Sequence, residues 1–206
     1  MNKGLFVTFE GGEGSGKSTI IRSVNEYYEN NTNINTLITR EPGGCSVSEK
    51  IREIIINDDM DAKTESLLFA AARCEHVNQV IKPALSENKL VLSDRYVDSS
   101  IVYQGYARNL GMDHVASING WATDNLLPDI VIYLSLDPEV GLKRINDTRS
   151  DEINRLDQED IEFHNLVKEG FDTWFKDKEN VYVIDATNDI TTITNQVIEI
   201  INSYVK

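Results

Sequence analysis

Cysteine is scarce in this chain: Cys45 and Cys74 are the only two among 206 residues. That excludes a disulfide framework and suits reduced thiols in a cytoplasm. Positive charge is scarce as well, with 20 Lys and Arg against 34 Asp and Glu, a net −14. Such a field repels nucleic-acid phosphate and anionic lipid, so neither is an expected partner, and an anionic ligand needs a local cluster of donors. No apolar run approaches the roughly 20 residues of a membrane span, and the start of the chain lacks the apolar stretch of a secretory leader. The expectation is a cytoplasmic protein. Proline is limited to Pro42, Pro83, Pro128 and Pro138, each at the edge of a predicted element, where its missing N–H is tolerated. Repeats and low-complexity segments are missing too. What the chain does have is 40% apolar residues, enough for a full core, over a length suited to a single domain, 1–206.

Five short runs rich in β-branched or aromatic residues read as buried strands: Leu5–Phe9, Thr36–Thr39, Leu90–Ser93, Ile130–Leu136 and Val181–Ile184. Helical patterns separate and follow them at Lys17–Tyr28, Val47–Ile56, Glu65–Ile81, Ser99–Tyr106, His114–Asp124, Pro138–Asn146, Ile161–Phe175 and Thr191–Tyr204. This alternation predicts an α/β fold whose parallel sheet is covered on both faces. The segment Asp147–Asp160 breaks the pattern with eight charged residues in fourteen and reads as a mobile flap. Ligands of such sheets bind beyond the carboxyl ends of the strands, so the loops there carry the search.

Gly11-Gly12-Glu13-Gly14-Ser15-Gly16-Lys17-Ser18 follows the first strand and precedes a helix, matching G-x-x-x-x-G-K-[ST] in its required context. Backbone N–H groups converge on an anion only where no Cβ intervenes, and the helix start adds its dipole. In this pattern Lys17 reaches the β- and γ-phosphates and the Ser18 hydroxyl holds Mg²⁺. The expected nucleotide-binding run is therefore Gly11, Gly12, Glu13, Gly14, Ser15, Gly16, Lys17, Ser18 and Thr19. A glycine-rich turn without a ligand is the plainer alternative, and the complete motif disfavours it. A guanine-reading N-K-x-D is missing, since Asn88-Lys89-Leu90-Val91 has no aspartate. A kinase acting on a small acceptor remains, and it must place a second anion beside the γ-phosphate. Arg40, Arg52, Arg73, Arg95 and Arg149 lie near predicted strand ends or just beyond them and supply that charge, although any one alone reads equally as a solvated surface residue.

Six runs, in their order and spacing, resemble the thymidylate kinases: Phe9–Ser18, Thr39-Arg40-Glu41-Pro42-Gly43-Gly44, Ile51-Arg52, Phe69–Arg73, Asp94–Gly105 and Arg155–Glu159. The match covers nearly the whole chain. No arginine stands at positions 12–15, which makes the chain similar to the bacterial type, where flap arginines supply that charge. The resemblance implies a P-loop NTPase-type three-layer fold with a five-stranded parallel sheet and a short lid. It also implies a homodimer that transfers the γ-phosphate of ATP to thymidine 5′-monophosphate with Mg²⁺.

Roles follow from the same resemblance. Phe69 stacks on the thymine ring and Arg73 donates to its O4 carbonyl, the two sharing a helix face at i and i+4; Phe69 taken alone reads as core. Ser100 and Gln104, again four apart, complete the base pocket. Tyr103 crowds the 2′ position of the sugar, and Glu13 accepts from the 3′-hydroxyl. Arg52 and Arg95 hold the acceptor phosphate, a task suited to arginine's planar fork, and Glu41 belongs to the same substrate site. Asp94 supports Ser18 at Mg²⁺, with loop capping as its alternative. Catalysis falls to Lys17, Arg95 and the flap residue Arg149, with Arg144 in reserve and Arg155 holding the closed flap. Cys45 stands where the family often has Thr. His76 and His164 read as packed or surface residues, and Trp121 and Trp174 as core or interface.

The acceptor, a phosphate monoester with a second pKa near about 6, is already mostly a dianion at neutral pH and needs no general base. A deoxynucleoside kinase does need one, and Glu41 stands near a strand end, so that alternative stays open. So does a nucleotide-dependent switch or binding module that turns nothing over.

Overall fold

The structure, a computed structural model, describes residues 4–148 and 159–205. Five strands, β1 (Leu5–Glu10), β2 (Thr36–Arg40), β3 (Leu90–Asp94), β4 (Ile130–Ser135) and β5 (Val181–Asp185), pair in parallel in the order β2-β3-β1-β4-β5. The helices are α1 (Lys17–Asn31), α2 (Ser46–Asn57), α3 (Ala62–His76), α4 (Lys82–Ser86), α5 (Val97–Ser100), α6 (Met112–Thr123), α7 (Pro138–Thr148), α8 (Ile161–Trp174) and α9 (Ile190–Tyr204). The alternation of β1 explains the layers. Leu5, Val7 and Phe9 pack with Ile20, Ile21 and Val24 of α1 and Val197 and Ile201 of α9, while Phe6 turns to the other face against Val77, Ile81 and Tyr96. A third apolar group, including Tyr103, Tyr133, Phe163 and Phe171, fixes α8 over the sheet.

Each predicted strand is present, but four run one residue further at the carboxyl end. The extra residues are Glu10, Arg40, Asp94 and Asp185, polar side chains that end the hydrophobic pattern while the backbone ladder continues. Phe9 is in register with both Asp94 and Ile132, so the end of β1 is flanked by β3 and β4.

Several helical expectations are corrected. The helix expected to stop at Ile81 passes through a π turn, Val77–Ile81, and continues to Ser86, which puts Pro83 inside a helical run. The widened turn already departs from the i→i+4 ladder, so a residue without an N–H is accommodated just after it. The helix expected from Ser99 starts at Val97 and becomes π-helical over Ile101–Ala107. The proposed flap narrows at both ends: Asp147 and Thr148 belong to α7, and Asp160 caps α8 by accepting from the Phe163 N–H at 2.8 Å. Trp121 is 84% exposed and is not core. His76 and His164 are packed. Among the described residues no helix is long and apolar enough to cross a membrane, and both cysteines are free thiols.

Candidate active site

The carboxyl ends of β1 and β3 set the phosphate loop beside Asp94 and Arg95, and a cavity of about 430 Å³ opens between them. Of the residues expected at the site, Glu13 through Thr19, Glu41, Arg52, Phe69, Arg73, Asp94, Arg95, Ser100, Tyr103 and Gln104 all line it. Gly11 and Gly12 stand behind this wall, and Arg149 and Arg155 lie outside the described residues. The end of α5 carries Ser99 and Ser100 to the same cavity, and the π-helical turns after it carry Tyr103 and Gln104.

Gly14 has a φ of +68°, and a Cβ there would stand 2.2 Å from the Gly141 carbonyl oxygen. The loop is thus braced directly on the backbone of α7, a contact open only to glycine. Lys17 is buried and curls back over the loop, its Nζ donating to the carbonyls of Gly11 (3.0 Å) and Gly12 (2.9 Å) and to Ser15 Oγ (3.2 Å). Burial, then the neighbouring Arg95, pushes its ammonium down to about 8. Ser18 Oγ donates to Asp94 Oδ2 at 2.7 Å, which joins the two residues expected at Mg²⁺. Among the described residues no cluster of three or more His, Cys, Asp or Glu is arranged for a metal. A hydroxyl and one carboxylate fit a hard cation that takes its remaining ligands from water and phosphate.

Glu13 projects from the loop into the cavity. Arg95 Nη2 and Tyr103 Oη both donate to its Oε1, at 2.5 and 2.9 Å, and the Arg95 guanidinium lies 5.0 Å over the Tyr103 ring. Burial works against this carboxylate, but Arg95 and Lys17 overcome it and hold it down at about 2. Arg95 itself sits at a φ of +69°, an uncommon backbone region for a side chain of this size.

The donor inventory of the arginines is informative, since each guanidinium carries five N–H bonds. Arg73 is buried. Its Nε donates to Glu41 Oε2 at 2.5 Å, its Nη1 to Ser100 Oγ (3.1 Å) and Asn119 Oδ1, and its Nη2 to the Tyr96 carbonyl at 3.1 Å. One Nη2–H remains without an acceptor among the described residues. Arg95 gives both Nη1 hydrogens to the Gly11 carbonyl (3.2 Å) and Ser99 Oγ (3.1 Å) and one Nη2 hydrogen to Glu13, so among the described residues Nε–H and one Nη2–H remain without an acceptor. Arg52 donates one bond, to the Pro42 carbonyl at 3.0 Å; burial and then Arg40 lower its pKa. Gln104 Nε2 donates to Glu65 Oε1 at 3.0 Å. Arg144 also reaches the cavity wall, donating to the carbonyls of Ala186 (3.1 Å) and Gly14 (3.4 Å).

Sequence reasoning missed the residues that hold these groups. Glu41 Oε1 is hydrogen-bonded to His76 Nδ1 at 2.8 Å, and His76 Nε2 to Thr39 Oγ1 at 2.6 Å. His76 follows Arg73 by three positions, and that spacing was a legible signal. Asn119, on α6, had none. Glu10, fully buried at the end of β1, was hidden by its position: burial, reinforced by Asp98, pushes its carboxyl up to about 8.

A thymidylate kinase family model matches residues 9–197 of this chain. The chain is 51% identical over 174 residues to the thymidylate kinase of Clostridium novyi (strain NT), covering 83% of this chain and 84% of that protein. It is 47% identical over 207 residues to the thymidylate kinase of Bacillus pumilus (strain SAFR-032), covering 98% and 97%. Its fold is similar to the crystal structure of thymidylate kinase from Ehrlichia chaffeensis, with a TM-score of 0.80 and 30% identity over 96% of this chain and 98% of that one.

Proposed function

The chain belongs to the thymidylate kinase family, and from that premise we propose how its residues divide the work. The enzyme transfers the γ-phosphate of ATP to thymidine 5′-monophosphate, giving the diphosphate for nucleotide biosynthesis. The observation that carries the assignment is the match between unspent donors and the acceptors of that substrate. Arg73 has one N–H left for a single carbonyl, the thymine O4, beside Phe69 as a stacking face. Arg95 has two left for two phosphate oxygens, with Arg52 next to it. Tyr103 and Glu13, already hydrogen-bonded together, meet the sugar at its 2′ and 3′ positions.

In the reaction Lys17 exchanges its loop carbonyls for the β- and γ-phosphates, and Arg95 steadies the incoming anion. Ser18 and Asp94 would hold Mg²⁺ together with the nucleotide, and the ion would supply charge neutralisation for the transferring group. Glu41 has both oxygens engaged by Arg73 and His76. That supports a place as the anchor of the base-reading arginine, and it disfavours the deoxynucleoside kinase alternative, in which Glu41 would be a free base. Arg149 remains the flap cation on sequence grounds, with Arg144 as its alternative on the cavity wall.

The protein works as a homodimer of single-domain chains in the cytoplasm, with no nucleic-acid or membrane partner. Exposed apolar residues on three helices support the dimer: Val47 and Ile54 on α2, Leu67 on α3 and Trp121 on α6. The net charge of −14 supports the lack of a nucleic-acid or anionic-membrane partner.

The test is a coupled assay over nucleoside monophosphates with the native enzyme and Arg73→Ala. The native enzyme should favour thymidine 5′-monophosphate over its cytosine counterpart, which presents an amino group where O4 stands. Arg73→Ala should lose about 1–3 kcal/mol of that preference. An unchanged ratio would remove Arg73 from the base pocket.

A further inference from the structure

The assignment of Arg95 to the acceptor phosphate leaves open what holds so long a side chain in place. Two buried residues do this. Glu10 is completely buried, and its two oxygens point to two different parts of the same segment. Oε1 accepts the backbone N–H of Tyr96 at 2.8 Å, the residue that follows Arg95. Oε2 is hydrogen-bonded to Ser99 Oγ at 2.5 Å, and Ser99 Oγ accepts from Arg95 Nη1 at 3.1 Å. One carboxyl group therefore grips Arg95 twice, through the backbone just after it and through the tip of its side chain.

The backbone of Arg95 needs such a grip, because its φ of +69° is one that L-residues adopt only when neighbours impose it. The neighbours are all in place. The Arg95 N–H donates to the Phe9 carbonyl at 3.0 Å, and the Arg95 carbonyl accepts from Ser93 Oγ at 2.8 Å. Asp98 lies beside the pair and is fixed from the far side by the Trp174 indole N–H at 2.6 Å, with Lys178 3.7 Å away. Ser99 itself is 7% exposed and lines the substrate cavity.

We propose that Glu10 and Ser99 form a buried relay that fixes the Arg95 guanidinium toward the acceptor phosphate, with Ser99 as a positioning residue for substrate capture. Ser99 occupies the two Nη1 positions jointly with the Gly11 carbonyl, so that the Nε and Nη2 donors are the ones turned to the ligand. This inference rests on the role given to Arg95 above, and it adds the reason that the arginine discriminates a phosphate-bearing ligand from the free nucleoside.

The test compares equilibrium binding of thymidine 5′-monophosphate and of thymidine to the native enzyme, Ser99→Ala, Ser99→Thr and Glu10→Ala. Thymidine shares the base and sugar contacts but has no phosphate. Loss of one hydrogen bond to a charged group predicts a roughly 10-fold weaker monophosphate in Ser99→Ala, with thymidine unchanged within about 2-fold. Ser99→Thr, which keeps the hydroxyl, should restore the monophosphate. Glu10→Ala removes the group that bonds both Ser99 Oγ and the Tyr96 N–H and should behave like Ser99→Ala. Parallel weakening of both ligands, or an unchanged ratio in Ser99→Ala, would overturn the relay while leaving Arg95 in its role. A native enzyme that binds the two ligands equally would overturn the role of Arg95 and the relay together.

Discussion

Lys17 illustrates how a residue's resting contacts define its task. Its ammonium is satisfied by two loop carbonyls and a serine hydroxyl, so the nucleotide must offer more than these to draw it out. Triphosphate oxygens do so, because hydrogen bonds to charged acceptors are roughly twice as strong as those to neutral ones. Lys17→Ala should therefore lower kcat by about 10²-fold or more, with thermal stability close to native, since the charge acts chiefly on the transferring phosphoryl group. Steady-state kinetics beside a melting curve separates the two effects, and activity within a few-fold of native would remove Lys17 from the chemistry. Arg73 and Glu41 show the complementary case. The resemblance assigned both to the substrate site; both line the cavity, and each is the buried partner of the other.

At the scale of elements, the strands and the helix pattern were readable because they rest on hydrophobic periodicity, and the core of β1 with α1 and α9 follows it closely. The strand ends were not. Glu10, Arg40 and Asp94 continue the ladder as polar residues, and the site is built from such positions. The two π turns were equally silent, since no residue spacing marks where a helix widens; Val77–Ile81 and Ile101–Ala107 are set by packing against the sheet. The bracing of the phosphate loop by α7 was hidden for a further reason: Gly141 sits in a helix, where glycine reads as a weak point. A Cβ at Gly141 would stand 2.2 Å from the Glu13 carbonyl oxygen. Two effects oppose each other in Gly141→Ala. Helix propensity favours alanine by about 1 kcal/mol, while forcing atoms into a filled backbone contact costs about 1–3 kcal/mol or more. The clash is with backbone and has no rotamer to relieve it, so it wins. The expected outcome is a lowered melting temperature together with a raised KM for ATP; a variant more stable than native would show that the loop does not lean on α7.

For the molecule as a whole, two buried carboxyls pull stability in opposite directions along the pH axis. The folded-state pKa of Glu10, about 8, lies above its ordinary 4.5. Between those values the folded chain keeps a proton that the unfolded chain has lost, so stability falls as pH rises through this window. Asp98, also raised by burial, acts in the same sense. Glu13 is held at about 2; below 4.5 the unfolded chain gains a proton first, and stability falls as the medium becomes more acid. Denaturation midpoints from pH 3 to 9 should decline on both sides of a maximum, and Glu10→Gln should flatten the alkaline side alone. An unaltered alkaline slope in that variant would show that Glu10 does not change its protonation on folding.

The two tryptophans give this molecule an optical property that its chemistry does not require. Trp121 stands 84% exposed on α6, where an indole emits at the red end of its range and is open to collisional quenchers. Trp174 is half-buried, its N–H on Asp98 and its ring 3.4 Å beneath the Lys178 ammonium, which shields it from quenchers. With Trp121 replaced by phenylalanine, the remaining emitter neighbours Asp98, next to Ser99 and the arginine that captures the acceptor. Its fluorescence would then register changes at that subsite without any label.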